Sequence, residues 1–415
     1  MAVVGAGIAG VASALCLRRL GVSVEVLEQR ADPAALVVGR PSVNLTLGSR
    51  GLAVLDHLGL RERVAEAAVW ASSRVIHTRS DGHQRRPYGA RGEAILSVRR
   101  RELLRLLLDA AQNTAGITIQ FGCGVRSATA DGRLIHRRGA PRAPDVRGRY
   151  DLVIGADGLN SVVRPSVCAQ AGGPDDGPRA SGWCWIELTC PPWKDSITDA
   201  VDVWPRDPVM LIAFPNHDGY KTVLLFVRAN TPFPSYAELR RYAPELDISE
   251  ADFHRSVTAH DEVRVVNCPI WHAGRLCVLG DAAHAVAPFL GQGANAALVD
   301  ARTIADLYRA SSSAEEAAAA FQRVRKPEMD CLSRLTDGHF RELTHDLGDH
   351  LSNLRRDLRI LLSAYYPNRF EPIYNRVAFS DGSLVHAERM HTKEETTMDA
   401  ITDKLVSLLG APGEM

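Results

Sequence analysis

Apolar residues at the start of the chain follow three different rhythms. Ala2-Val3-Val4 is a short unbroken apolar run, the residues from Gly10 to Leu20 carry apolar positions at helical spacing, and Val22 to Glu28 alternates. An unbroken run fits a strand buried on both faces, spacing near 3.6 fits a helix, and alternation fits a second strand. Gly21 separates the helix from that strand, so the segment predicts a strand–helix–strand unit with parallel strands. Further on, 99–112 predicts an amphipathic helix and 117–121 a strand. The basic stretch 133–149, with its Pro and Gly residues, predicts a ribbon or loop, and 150–158 a core strand ending in a turn. Between Ser181 and Val227 the pattern becomes long alternating runs at 183–189, 201–204, 209–214 and 222–227. These predict a largely antiparallel sheet inserted between two halves of a parallel one. A strand at 276–279 closes the first unit. Beyond Ser311 the spacing is helical to about Ala364, followed by a turn at Pro367-Asn368 and a terminal helix over 398–409.

A chain of 415 residues has room for two or three domains. Lys plus Arg and Asp plus Glu are both 49, which argues against nucleic acid or an anionic membrane as a partner. No apolar run is long enough to span a bilayer, and no secretory leader is expected ahead of the first strand. The eight cysteines show no Cys-x-x-Cys pair and no metal spacing. They read as buried free thiols in a reducing cytoplasm, with no metal site.

Three turns carry chemistry. Gly5-Ala6-Gly7-Ile8-Ala9-Gly10 links the first strand to the first helix, and Glu28 ends the next strand. Glycines there let a pyrophosphate approach the backbone at a helix N-terminus, and the carboxylate accepts hydrogen bonds from a ribose. Gly155-Ala156-Asp157-Gly158 is a second strand-to-helix turn. The third, Gly280-Asp281-Ala282-Ala283-His284, continues through Pro288-Phe289-Leu290-Gly291-Gln292-Gly293-Ala294-Asn295 into a helix start. That arrangement aims backbone N–H groups and a positive dipole end at an electron-rich ligand.

These three turns, in this order, resemble those of the single-component FAD-dependent aromatic hydroxylases. Seven further segments narrow the resemblance to the kynurenine 3-monooxygenase kind. They are Arg74-Val75-Ile76-His77, Pro87-Tyr88-Gly89, residues 95–100, residues 187–192, Trp204-Pro205-Arg206, residues 288–295, and Phe370-Glu371-Pro372-Ile373-Tyr374. The resemblance implies an α/β fold: a Rossmann-like FAD-binding domain of the p-hydroxybenzoate hydroxylase type, an inserted antiparallel-sheet substrate domain and a C-terminal helical region. The implied boundaries are 1–70, 95–170 and 265–310 for the first, 71–94 and 175–264 for the second, and 311–415 for the third.

Carried over by residue, the resemblance puts non-covalent FAD on Gly5, Gly7, Ala9, Gly10, Leu27, Glu28, Gln29, Arg30, Thr46, Arg100, Val125, Asp157, Asp281, Pro288, Gly291, Gly293, Ala294 and Asn295. It gives Arg74 and Tyr88 the substrate carboxylate, Tyr374 the far side of the site, and Phe289 the ring pocket. Thr336 stands where the family has an Asn that contacts the amino-acid head group, with Asp337 next to it, and Ala294 stands where the family usually has Met. His284 reads as structural, and Trp183-Cys184-Trp185-Ile186 as an aromatic strand facing the core.

The implied reaction hydroxylates an aromatic amino acid ortho to its ring amino group. It uses NADPH or NADH as a transient co-substrate together with O2. No side chain is assigned as a catalyst, because the flavin carries the chemistry. The expected protein is a cytoplasmic monomer or homodimer. Alternatives are a hydroxylase of another tryptophan-derived or anthranilate-type acid, a flavin redox sensor that hydroxylates nothing, and an NAD-dependent dehydrogenase, which the Asp281 turn disfavours.

Overall fold

A computed structural model describes residues 1–33, 43–78, 82–89, 92–139, 145–206, 208–344, 350–366 and 369–409. The first motif folds as its spacing predicts: strand Ala2–Val4, helix Ile8–Arg18, strand Val24–Leu27. Ala2–Val4 sits inside a six-stranded sheet, parallel to Val24–Leu27 on one side and to Val153–Gly155 on the other. Leu276–Val278 pairs with Val153–Gly155, and Ile117–Gln120 with Val24–Leu27. All three chemical turns therefore leave neighbouring strands at one end of this sheet. The helix Gly293–Ala310 packs along Ile8–Arg18. Gly10 permits the tight first turn, since a Cβ there would sit 2.0 Å from the Gly5 carbonyl oxygen.

A seven-stranded sheet forms the second layer. Its order is 261–265, 179–190, 221–228, 209–215, 200–206, 73–77, 83–87. Most pairs are antiparallel, as the alternating runs predict, but Ala200–Arg206 runs parallel to Ser73–His77. Register assigns each side chain to a face. The row Ile76, Val203, Ile212, Leu224 shares a face with Arg74, Phe226 and Trp185. The opposite face carries His77, Asp202, Trp204 and Lys221, together with an apolar cluster packed under helices Tyr236–Tyr242 and Glu250–Thr258.

The basic stretch forms a hairpin, Arg133–Arg138 against Asp145–Arg149. The C-terminal part is helical: Ala314–Thr344, His350–Tyr365, Ile373–Ala378 and Leu384–Leu409. The last helix begins at Leu384, well before the predicted Met398. The residues between are mostly polar, and only scattered positions such as Leu384 and Ala387 are buried apolar ones, so the amphipathic signal is diluted. The turn expected at Pro367-Asn368 lies outside the described residues. All eight cysteines are free thiols. Among the described residues no helix is long and apolar enough to cross a membrane, and no cluster of His, Cys, Asp or Glu is arranged to hold a metal.

Candidate active site

The three turns surround one region at the end of the six-stranded sheet. Gly5 takes φ +98°, and a Cβ there would lie 2.6 Å from the Ala156 carbonyl oxygen, so the first and second turns are in near contact. Glu28 is buried and takes two backbone hydrogen bonds, from Ala6 N to Oε2 and from Arg30 N to Oε1, both 2.9 Å. It fixes the first turn as well as offering remaining lone pairs to a ribose. Leu27 is buried, Val125 and Ala9 are half-buried, and Gln29 and Arg30 are exposed.

Several features fit a bound dinucleotide. The helices starting at Ile8 and Gly293 have no side-chain cap, leaving N–H groups for phosphate or flavin oxygens. Space is open beside both Gly7 and Gly293. Asp281 begins the short helix Asp281–His284 on exposed ground, and no described side chain or backbone group pairs with its carboxylate. Arg100 is likewise exposed at the start of its helix, without a described ion-pair partner. Asp157 accepts from Val162 N at 2.7 Å through Oδ2, while its Oδ1 is buried with no hydrogen-bond partner. Burial, the largest influence, raises its pKa above the usual carboxylate value. An orphaned buried acceptor calls for a donor, such as a flavin N–H or hydroxyl.

Two expected cofactor residues hold the loop rather than face open space. The Asn295 amide accepts from Gly48 N and donates to Thr46 O and Gly291 O, at 2.9–3.1 Å. Thr46 Oγ1 donates to Gly291 O at 3.3 Å. Together they tie the turn 288–295 to the strand Asn44–Leu47. Pro288 is exposed and Ala294 half-buried on that same turn.

Behind the turn lies a buried network that sequence reasoning missed. Asp300 accepts from Gly280 N at 3.0 Å, from His284 Nε2 at 2.5 Å, and from Arg325 Nε at 2.8 Å. Burial acts to raise its pKa, but His284 and Arg325 beside it outweigh burial and hold the carboxyl down to about 2. His284 is thereby a brace, as its reading as structural implied.

Three of the expected substrate residues, Arg74, Tyr88 and Tyr374, also come together. The Arg74 guanidinium carbon lies 4.9 Å from the Tyr88 ring centroid and 3.9 Å from that of Tyr374. The two rings stack at 5.6 Å, and Arg74 hydrogen-bonds both phenols. Among the described residues no carboxylate pairs with Arg74. Burial pushes the Tyr88 phenol above its ordinary pKa, with Arg74 opposing, so Tyr88 stays a neutral donor. Phe379 closes the group edge-on, at 5.9 Å from Tyr88 and 6.2 Å from Tyr374. No sequence signal singled it out; it lies five residues after Tyr374, just past the end of the helix Ile373–Ala378.

Phe289, in the short 3-10 turn Pro288–Leu290, meets Phe226 at 5.4 Å and Trp183 at 6.4 Å. It packs with Met210, Leu224 and Val263, and Trp185 joins the edge of that cluster. Trp183 and Trp185 therefore line the face shared with Arg74, in addition to serving as core. Thr336 is buried on the helix Ala314–Thr344, and its hydroxyl donates to its own helix at Leu332 O, 2.8 Å. Asp337 is exposed.

A family described as FAD binding domain matches residues 1–311. A kynurenine 3-monooxygenase of Salinispora arenicola is 35% identical over 407 residues, covering 91% of this chain and 87% of its own length. Another, from Stenotrophomonas maltophilia, is 32% identical and covers 97% and 92%. The chain belongs to the kynurenine 3-monooxygenase family. Its fold is that of the flavin hydroxylases. The solved structure of 2-methyl-3-hydroxypyridine-5-carboxylic acid oxygenase superimposes with TM-score 0.71 at 22% identity, over 91% of this chain and 98% of the other. HpxO of Klebsiella pneumoniae, complexed with FAD and uric acid, gives 0.66 at 19% identity, over 91% and 95%. The two kynurenine 3-monooxygenase relatives thus align with 91% and 97% of this chain.

Proposed function

We infer that the protein is an FAD-dependent monooxygenase that hydroxylates L-kynurenine, or a close analogue, ortho to its ring amino group. Arg74 carries this reading: a guanidinium framed by two phenols, with no described carboxylate beside it, is short of one anion. A substrate carboxylate supplies that anion in two parallel hydrogen bonds, and Tyr88 and Tyr374 add phenol donors. The family membership supplies the aromatic amino acid as the anion's owner.

FAD, once reduced by NADPH or NADH, supplies the means to place one oxygen atom of O2 on an electron-rich ring. The chain's own residues bind, orient and exclude water. Gly5, Gly7, Gly10 and Glu28 would hold the adenosine end. Asp281, Asp157 and the start of the Gly293–Ala310 helix would hold the flavin end. Phe289, Phe226, Met210 and Leu224 form an apolar wall against which a ring lies dry. No base is required, since an ortho amino group already activates the ring carbon. The assignment of no catalytic side chain follows from that.

The test is to purify the protein, confirm a yellow FAD complex, and follow NADPH and NADH oxidation with a panel of aromatic acids. L-Kynurenine should stimulate oxidation and yield a product heavier by one oxygen. Stimulation by an anthranilate-type acid alone would move the substrate to that class. Indifference to every acid would leave a flavoprotein without hydroxylase activity.

A further inference from the structure

The helix that carries Tyr374 spans Ile373–Ala378, six residues. A helix this short does not hold itself in water, so packing sets its position. Beside the buried Ile373, Val377 and Ala378, two arginines tie it down. The Arg50 guanidinium donates to Val377 O and, at 2.6 Å, to Gly382 O. Arg376 donates to Glu371 O at 3.3 Å and to Glu394 Oε1 at 2.5 Å. Glu394 belongs to the Leu384–Leu409 helix and is only 3% exposed. Its second oxygen, Oε2, is buried with no hydrogen-bond partner.

We propose that Glu394 is a positioning residue for the substrate-carboxylate site, acting through Arg376 on the helix that presents Tyr374 to Arg74. This rests on the reading of Arg74 as the carboxylate anchor. The charged groups facing Glu394 are Arg376 and Glu371 from the Tyr374 segment and Arg359 from the His350–Tyr365 helix. On the Ala314–Thr344 helix, which also packs here, Arg334 is engaged by Glu388 and Lys326 by Asp330.

A carboxyl in this position is a neutral-pH switch. Burial is the largest influence and pushes its pKa from 4.5 up to about 7, against the pull of Arg376 and Arg359. A solvated carboxyl gives up its proton near 4.5, whereas the packed one keeps it to about 7. The packed arrangement is therefore favoured at low pH, and that advantage is lost as pH rises through about 7. Above it, a charged Glu394 with an unmet Oε2 favours release of the two helices from each other. Tyr374 is then held less firmly against Arg74, and the acid site loosens.

The experiment compares the FAD-loaded wild type with Glu394→Gln, a neutral isostere, at about pH 6 and about pH 8.5. Hydrogen–deuterium exchange of segments 373–378 and 384–409 is read without substrate, and the Kd for L-kynurenine from its perturbation of the flavin spectrum. In the wild type these segments should lose protection at the higher pH relative to the variant, and Kd should weaken by about three- to tenfold. The variant should show neither change. Equal exchange in both proteins at both pH values would overturn the proposal. So would altered exchange with a Kd that follows the variant's, which would make Glu394 structural only. If L-kynurenine binds at no pH, the substrate reading fails, while the exchange arm still decides whether Glu394 controls the Tyr374 helix. If the variant does not fold, the wild-type ratio of protection between these segments and the six-stranded sheet decides. A ratio constant with pH sinks the idea.

Discussion

Arg74 and Tyr374 lie face to face, the guanidinium carbon 3.9 Å from the ring centroid, although one belongs to an early strand and the other to a late helix. Neither would mark a site alone. An arginine at this strand position could be a surface residue and a tyrosine after Pro372 could be packing. Their contact, with Tyr88 on the other side, is what the proposed carboxylate site rests on.

Replacing that cation should separate substrate binding from flavin binding. Arg74→Ala is expected to raise the substrate Kd by about 100-fold or more, equivalent to about 3 kcal/mol for a desolvated bidentate pair. FAD content should be unchanged. Arg74→Lys should recover little, because an ammonium lacks the planar fork. Titration of the flavin spectrum with L-kynurenine measures both variants. Normal affinity in Arg74→Ala would place the acid elsewhere.

Asp281 should matter to the cofactor instead. With no described partner of its own, its carboxylate is available to the ribityl hydroxyls. Asp281→Ala is expected to cost about 2–3 kcal/mol of FAD binding, so the variant should purify largely colourless. The ratio of flavin to protein absorbance checks this, and full occupancy would disprove the assignment.

We propose that Thr336 bears on the amino-acid head group. Its hydroxyl donates to Leu332 O at 2.8 Å, so its one proton is already used and an ammonium meets only a lone pair. Asp337 is exposed and does not take over from inside the site. Thr336→Asn should therefore improve kcat/KM for L-kynurenine, within the range of one recovered hydrogen bond, about 1–3 kcal/mol. An unchanged or lower kcat/KM would mean that this helical position does not meet the head group.

His77 makes stability depend on pH. It sits between Asp202 Oδ1 and Glu245 Oε1, each 2.8 Å away, and stacks on Trp204. Burial alone would lower its pKa, but the hydrogen bonds to Asp202 and Glu245 outweigh it, and the result lies above the ordinary 6.5. A raised value in a cation stabilises the fold fully below 6.5 and ceases to as pH rises through the folded value. Melting temperature should fall across that window in the wild type and should do so less in His77→Gln. Identical pH slopes would show that the imidazole is neutral in the fold.

The Asp300 brace is a matter of overall stability. Asp300→Asn leaves Arg325 buried without its counter-charge and should cost about 3–5 kcal/mol in denaturant unfolding. A loss below about 1 kcal/mol would mean that the network relaxes at little cost.

Local rhythm made the nucleotide unit legible. Ala2–Val4, the Gly5–Gly10 turn and Glu28 are close in sequence, so their spacing reports their geometry. The long alternating runs likewise announced the second sheet. Arg74, Tyr88 and Tyr374 could be named only through likeness to a family, since no periodicity links positions so far apart. Asp300, His284 and Arg325 were invisible as a group for the same reason: each is an ordinary helical or turn residue until the helix Gly293–Ala310 meets Ala314–Thr344. Asn295 was placed on the flavin by analogy, yet its amide is spent on Thr46, Gly48 and Gly291. A sequence motif reports which residues gather at a turn, not which of them the turn itself consumes.

The match to the FAD binding domain family stops at residue 311, whereas Thr336, Tyr374 and Phe379 all come later. The frame around the proposed acid site is therefore drawn from both parts of the chain, Arg74 and Tyr88 from the matched stretch and Tyr374 and Phe379 from the helices after it. A lineage can redraw part of the frame around an acid by altering its final quarter while leaving the flavin cradle untouched. Grafting those helices between relatives is a direct route to new selectivity, with Arg74 as the fixed point about which the graft must close.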